Sequence, residues 1–196
     1  MRPLPFFCLI VSLLLASAGN GSAQLAKFFA GASAGVTLGD LRGTGVATAV
    51  RAGGTAGLFG GVRPTRNTAL NLGASWVQKG GGDTRLDYLE FPLTIGGVAL
   101  IEDGLYRSRL YTGLVLGIKL SCSSSSTLTC SEAAATEWAW PIGLLLGRWG
   151  SGSHFVALDI RYTHGLSDTF EGSGLTNRSW QFRLLTGWRF GGRADQ

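Results

Sequence analysis

The sequence has few charged residues and no long apolar run beyond its N-terminus. Asp, Glu, Lys and Arg make up 15% of the 196 residues, well below the roughly 25% that is usual in soluble domains. No segment after residue 23 reaches the roughly 20 apolar residues that a membrane-spanning helix requires. With two histidines and three cysteines in the chain, we find no zinc constellation, catalytic triad or phosphate-binding loop. The sequence therefore predicts no catalytic, cofactor or metal-binding residue.

The N-terminus is typical of an exported protein. A basic Arg2 precedes the apolar residues 4–15, and small residues follow at 16–18 and 21–23. This order predicts a secretory signal peptide cleaved after Ala18 or, as we prefer, after Ala23. A retained N-terminal anchor is the alternative. Residues 1–23 are therefore predicted to be a signal peptide, which would remove Cys8, and residues 24–196 to form one domain.

The rest of the chain is apolar and rich in glycine. Hydrophobic residues account for 45% of the sequence, and 31 residues are glycine, but no Gly-X-Y period suggests collagen. An exported, apolar chain without a spanning helix fits a transmembrane β-barrel, because helices and closed barrels satisfy their backbone hydrogen bonds in lipid.

Eight segments alternate with a period of two, which is typical of barrel strands. The predicted strands are 28–39, 52–63, 68–78, 86–100, 107–120, 137–149, 154–164 and 179–190. The links between them alternate longer and shorter, and the odd-numbered ones are the longer. We expect those to be outer loops and the others periplasmic turns. The predicted fold is an all-β, eight-stranded antiparallel up-and-down transmembrane barrel.

One face of these strands is large and apolar, and the other is small or charged. Six charged residues share the second face: Glu90, Arg109, Lys119, Asp159, Arg161 and Arg183. A soluble lipocalin-like barrel has the opposite polarity, so we expect the apolar face to meet lipid and the charges to pair in the lumen. Arg109 and Arg161 are the expected partners of Glu90 and Asp159. A conduction path is the alternative, but eight strands leave an interior just wide enough for side chains.

Aromatic residues concentrate near the strand ends, which predicts two interfacial girdles. The outer girdle would contain Trp76, Tyr88, Trp138, Trp140, Tyr162, Trp180 and Phe182, and the inner one Phe28, Phe29, Phe59, Tyr106, Trp149, Phe155, Trp188 and Phe190. On the last strand, Trp180, Phe182, Trp188 and Phe190 are predicted to form the terminal assembly signal. Six further residues, 191–196, follow Phe190, where barrels usually end.

The third outer loop contains two cysteines. Cys122 and Cys130 flank a serine-rich segment, and in an exported protein such a pair predicts a disulfide. Another loop places His164 near Ser167, Asp168 and Glu171. This set is the nearest approach to a lipid A-modifying hydrolase at the rim, although its spacing matches no known signature.

With its segments in this order, the chain resembles the PorT-like outer-membrane β-barrel family. The resemblance is carried by TAGLF at 55–59, ASWVQKG at 74–80, DYLEFPL at 87–93, YTG at 111–113 and DIRYTHGL at 159–166. It implies an eight-stranded outer-membrane barrel. It also implies, as one possible role, an accessory of a secretion or envelope-assembly system.

The predicted function is structural or interactive, without enzymatic activity or a cofactor. Outer-membrane lipid and the barrel assembly machinery are the expected partners, together with an envelope or surface protein bound by the outer loops. Nucleic acid is not expected, because the 17 basic residues are scattered over turns and strand ends. The secretion accessory and the rim hydrolase are the alternatives.

Overall fold

The computed structural model describes residues 27–43, 46–65, 68–103, 106–125, 130–149 and 153–190. These ranges contain nine strands, which in chain order are β1 Lys27–Gly43, β2 Val46–Ala47, β3 Arg51–Arg63, β4 Ala69–Gly81, β5 Thr84–Asp103, β6 Tyr106–Ser124, β7 Thr136–Trp149, β8 His154–Gly165 and β9 Thr176–Phe190. The predicted signal peptide and the residues after Phe190 lie outside the described residues. Within the described ranges, no helix has the length and apolarity to cross a membrane.

Eight of the strands form a closed antiparallel barrel, as the sequence predicts. Each long strand pairs with the next along the chain, and β1 pairs with β9 from Phe28↔Phe190 to Arg42↔Thr176. This closing ladder gives both terminal strands a hydrogen-bonded neighbour, so the barrel has no open edge. The short strand β2 folds back on the C-terminal end of β1.

The two faces of the wall differ as the alternation predicts. Large apolar side chains are exposed on the outside, among them Val36, Leu58, Leu72, Leu93, Leu114 and Leu184. Ser33, Thr37, Thr55, Ser75, Thr94 and Gln181 are buried inside, together with the charged residues Glu90, Arg109, Asp159, Arg161 and Arg183. A polar interior inside an apolar exterior is the arrangement of a barrel that stands in lipid.

The two girdles are only partly as predicted. Trp76, Trp138, Trp140, Trp180 and Phe182 are exposed on the outside, as are Phe28, Trp188 and Phe190. Tyr88, however, is buried in the lumen. The rings of Phe29, Phe59 and Phe155 also pack together, with centroids 6.2–6.5 Å apart. Strand parity directs all four side chains inward, so their position near a strand end misled the prediction.

The barrel has a loop end and a turn end. The loop end has the longer connections, after β1, β6 and β8. The turn end has those after β3, β5 and β7. A long predicted link at 79–85 is wrong, because β4 and β5 continue to Gly81 and Thr84 and a two-residue turn joins them. Gly82 has a φ of 57° there, in the left-handed region that glycine adopts without strain.

Two prolines interrupt the ladders in mid-wall. Pro92 coincides with a skip in the β4–β5 pairing, from Leu72↔Leu93 to Ser75↔Glu90. Pro141 coincides with a similar skip in the β6–β7 pairing. Proline has no N–H to give to a ladder, so the pairing opens locally at both positions.

Candidate functional site

Strand register brings a buried charge cluster together in the middle of the lumen. Asp159 and Arg161 are two residues apart on β8 and share its inner face, and Arg183 on β9 lies directly opposite Asp159. Arg183 Nε donates to Asp159 Oδ2 at 3.0 Å, and its Nη2 contacts the same oxygen. Arg161 Nη2 lies 3.9 Å from that carboxylate. Asp159 is thus held chiefly by Arg183.

Tyr111, which was not among the predicted site residues, completes this cluster. Its hydroxyl donates to Asp159 Oδ1 at 2.5 Å and accepts from Arg161 Nε at 2.9 Å. The ring lies over Gly143, its register partner on β7, where an added Cβ would be 2.2 Å from the ring. The glycine therefore creates the space in which this tyrosine reaches past β7 to Asp159 on β8.

A second charge cluster lies closer to the loop end. Lys79 Nζ is 2.5 Å from Glu90 Oε1 and 3.0 Å from Glu137 Oε1, and all three side chains are almost completely buried. Asn177 Nδ2 donates to Glu137 Oε2 at 3.2 Å. The Tyr88 ring centroid is 5.5 Å from the ammonium. One cation therefore bridges two buried carboxylates across the barrel.

The predicted partner of Glu90 differs from the structure, whereas Asp159 has Arg161 within 3.9 Å, as predicted. Glu90 forms its ion pair with Lys79, which the predicted strand 68–78 left outside. Glu137, at the first position of its predicted strand, was also missed. Ser75 lies on the inner face, and Lys79 lies four positions further along the same strand. Continuing the alternation to Lys79 would therefore have placed it on the inner face as well. Arg109 is buried in the lumen toward the turn end.

Lys119 does not join the charge clusters. A bulge displaces Leu120, so that Tyr88 pairs with Lys119 and Asp87 with Ser121. The Lys119 ammonium donates instead to the carbonyl of Ala133 in the third outer loop. Its position near the end of β6 places it beside the loop that carries Ala133.

The two longest loops close the lumen at the loop end. Ala133 and Phe170 form a β-bridge between them, and Ala134 N donates to Thr169 O at 2.9 Å. The Phe170 side chain is buried in an apolar cluster whose other members are Leu41, Leu86, Tyr88, Ala133 and Leu175. We call these six residues the lid cluster. The lid cluster lies next to the second charge cluster, because its member Tyr88 contacts the Lys79 ammonium.

The predicted cysteine pair is a disulfide in the structure. Cys122 and Cys130 are bonded, with their Cα atoms 5.6 Å apart, and Cys122 packs against the lid cluster. The bond links the end of β6 to the start of the segment that carries Ala133. It therefore restrains one of the two loops that close the barrel.

The residues proposed for a rim hydrolase are bonded mainly to loop backbone. Ser167 Oγ accepts from Trp138 N at 3.0 Å, and Asp168 Oδ2 accepts from Gly174 N at 3.3 Å. Glu171 N donates to Glu132 O. Such bonds are typical of turn residues. No cluster of potential metal ligands occurs among the residues that the structure describes.

Charge pairs also lie on the outside of the wall near the loop end. Arg85 holds Asp87 through two hydrogen bonds of 3.0 and 3.1 Å, and Ser121 Oγ donates to the same carboxylate at 2.8 Å. Burial alone would raise the pKa of Asp87, but the bonds from Arg85 and Ser121 outweigh it and hold that pKa below its usual value.

The half of the lumen toward the turn end contains a cavity, which we call the turn-end cavity. Its wall combines aromatic and aliphatic side chains with arginines. The principal lining residues are Phe29, Phe59, Pro92, Leu145, Phe155, Leu185, Arg63, Arg109, Asp159, Arg161 and Arg183. The lumen is thus closed at the loop end, while its half toward the turn end retains free space.

Comparison with known proteins identifies the fold alone. No family model matches the chain, and no curated protein matches it. The barrel is similar to the crystal structure of neisserial surface protein A, with a TM-score of 0.60 and 11% identity over 83% of this chain and 97% of that one. It is also similar to the outer membrane protein AlkL in lipid bilayers, with a TM-score of 0.50 and 14% identity over 91% and 97%. The PorT-like resemblance stays a prediction.

Proposed function

We propose that this protein is a rigid outer-membrane barrel that presents a closed, restrained loop surface to a partner in the envelope or at the cell surface. The observation that carries the proposal is the lid cluster, which joins two outer loops above a lumen filled by ion pairs. Because the lumen is closed at the loop end, binding at the loops is favoured over transport through the barrel. The apolar exterior and the similarity in fold to an outer membrane protein support the location.

The closed mouth is tested by conductance. The mature chain, reconstituted into planar bilayers, is expected to give no stable channel, because the lid cluster and the Lys79 ion pairs fill the outer half of the lumen. A variant with Phe170→Gly is the comparison, since it removes the largest loop side chain in the lid cluster. Stable, sizeable conductance of the wild-type protein would contradict the proposal.

The interaction role is tested by site-specific crosslinking in cells. A photoreactive amino acid at Glu132 or Glu171, both exposed in the paired loops, is expected to capture a defined envelope component. Arg148, exposed on the outer wall near the turn end, is the matched control position. The same crosslinks at Arg148, or none at the loop positions, would argue against a partner at the loops.

Assembly and localisation form part of the same proposal. Phe190 and Trp188 are exposed at the end of the strand that closes the barrel, where the assembly machinery would meet them. Fractionation of cells that express the full chain is expected to place it in the outer membrane. Phe190→Ala is expected to slow the appearance of the folded, heat-modifiable form.

A further inference from the structure

The turn-end cavity has a strongly basic wall. Four arginines line it, Arg63, Arg109, Arg161 and Arg183, and Asp159 is the one carboxylate among the lining residues whose side chains the structure describes. Asp159 already accepts from Arg183 and Tyr111. The charge of the wall thus favours an anion.

Arg161 adds a second and independent observation. Its side chain is buried, 5% exposed, and lines the cavity. Nε donates to Tyr111 and Nη2 lies 3.9 Å from Asp159, but Nη1 has no hydrogen-bond acceptor among the residues that the structure describes. An unsatisfied buried donor is costly, and a charged one especially so. A bound anion or a water would satisfy it.

The rest of the wall is suited to a hydrocarbon chain. The three phenyl rings of Phe29, Phe59 and Phe155 form one side of it. The cavity also reaches Leu72, whose side chain faces outward, beside the interrupted ladder at Pro92. Apolar contact therefore extends from the rings to the outer wall.

We propose that the turn-end cavity binds a single-chain amphiphile with an anionic head group, a carboxylate or a phosphate monoester. The head group accepts from Arg161, and the alkyl chain lies along the phenyl rings. This binding site is independent of the proposed role of the loops, because it requires only the folded barrel.

The test measures binding of defined probes to the mature protein in neutral maltoside micelles by native mass spectrometry. Dodecanoate and dodecyl phosphate are expected to bind at one saturable site, and the tighter of the two identifies the head group. Dodecanol is expected to bind roughly tenfold more weakly or worse, because it lacks the charge-assisted bond. Acetate is expected not to bind, because it lacks the chain.

Variants separate the head-group contact from the space for the chain. Arg161→Met is expected to reduce dodecanoate binding to the level of dodecanol, whereas Arg148→Met, a matched substitution on the outer wall, leaves it unchanged. Gly96→Leu should weaken binding of all three alkyl probes. It fills the cavity without altering a charge, since a Cβ there meets no atom closer than 3.4 Å, and so provides the test if Arg161→Met does not fold.

Three results would overturn the proposal. The first is the absence of saturable binding, which would mean a cavity filled with water only. The second is equal binding of dodecanol and dodecanoate. The third is unchanged binding in both Arg161→Met and Gly96→Leu.

Discussion

Replacing Lys79 with methionine is expected to destabilise the barrel strongly, because Lys79 bridges two buried carboxylates. Its ammonium is 2.5 Å from Glu90 and 3.0 Å from Glu137, and none of the three side chains is more than 4% exposed. Methionine has a similar length but carries no charge. The substitution would leave two carboxylates in the lumen without their shared cation.

The magnitude follows from the cost of breaking a buried ion pair. Removal of one partner typically costs about 3–5 kcal/mol, because the remaining charge is left uncompensated. Asn177 still donates to Glu137 in the variant, so we expect a loss of about 3 kcal/mol, at the lower end of that range. Lys119→Met is the matched control. That lysine bonds a loop carbonyl, and its loss should cost only about 1.5 kcal/mol, at the low end for a hydrogen bond with a charged partner.

The assay is reversible unfolding in urea of protein folded into phosphatidylcholine vesicles, followed by fluorescence of the six tryptophans. A triple variant, Lys79→Met with Glu90→Gln and Glu137→Gln, is expected to recover most of the loss, because neutralising the carboxylates removes the uncompensated charge. If Lys79→Met unfolded at the same urea concentration as Lys119→Met, or if the triple variant were no more stable than the single one, the bridging role would be refuted.

Three further predictions concern other parts of the barrel. Gly143→Ala is expected to cost about 1–3 kcal/mol, because it displaces the Tyr111 ring, and much less in a Tyr111→Ala background; unfolding of the wild type, the two single variants and the double variant measures this coupling. Cys122 and Cys130 are expected to resist maleimide until the protein is reduced, and labelling without reductant would show free thiols. Asp87→Asn should cost less than about 1 kcal/mol at pH 7, because water and salt screen a rim pair. Since the folded pKa of Asp87 is lowered, its contribution is present above the unfolded pKa of about 3.9 and is lost as the pH falls through the folded value. The wild type and this variant should therefore converge in stability once the pH lies below the folded pKa, and a difference that persisted there would exclude the electrostatic cause.

The sequence by itself determined the strands and the two faces of the wall. Period-two alternation is a local property, because successive side chains of a strand point to opposite sides. It therefore predicted the barrel and placed Glu90, Asp159 and Arg183 inside. The disulfide could be predicted from the short spacing of the two cysteines and the exported context alone. Lys79 and Glu137 were missed as lumen residues because they lie at strand ends. The predicted strand 68–78 stopped before Lys79, and Glu137 is the first residue of the predicted strand 137–149.

The tertiary structure decided which residues meet across the lumen. Lys79 and Glu137 are 58 positions apart, and their contact depends on the register of every ladder between β4 and β7. Tyr111 meets Gly143 through the register of β6 with β7, and Phe170 closes the loop end through a bridge between two loops. Alternation determines which face of the wall each side chain occupies, but not its height, which is its position along the barrel axis. Height follows from the accumulated stagger of the strands, which exists only once the barrel has closed.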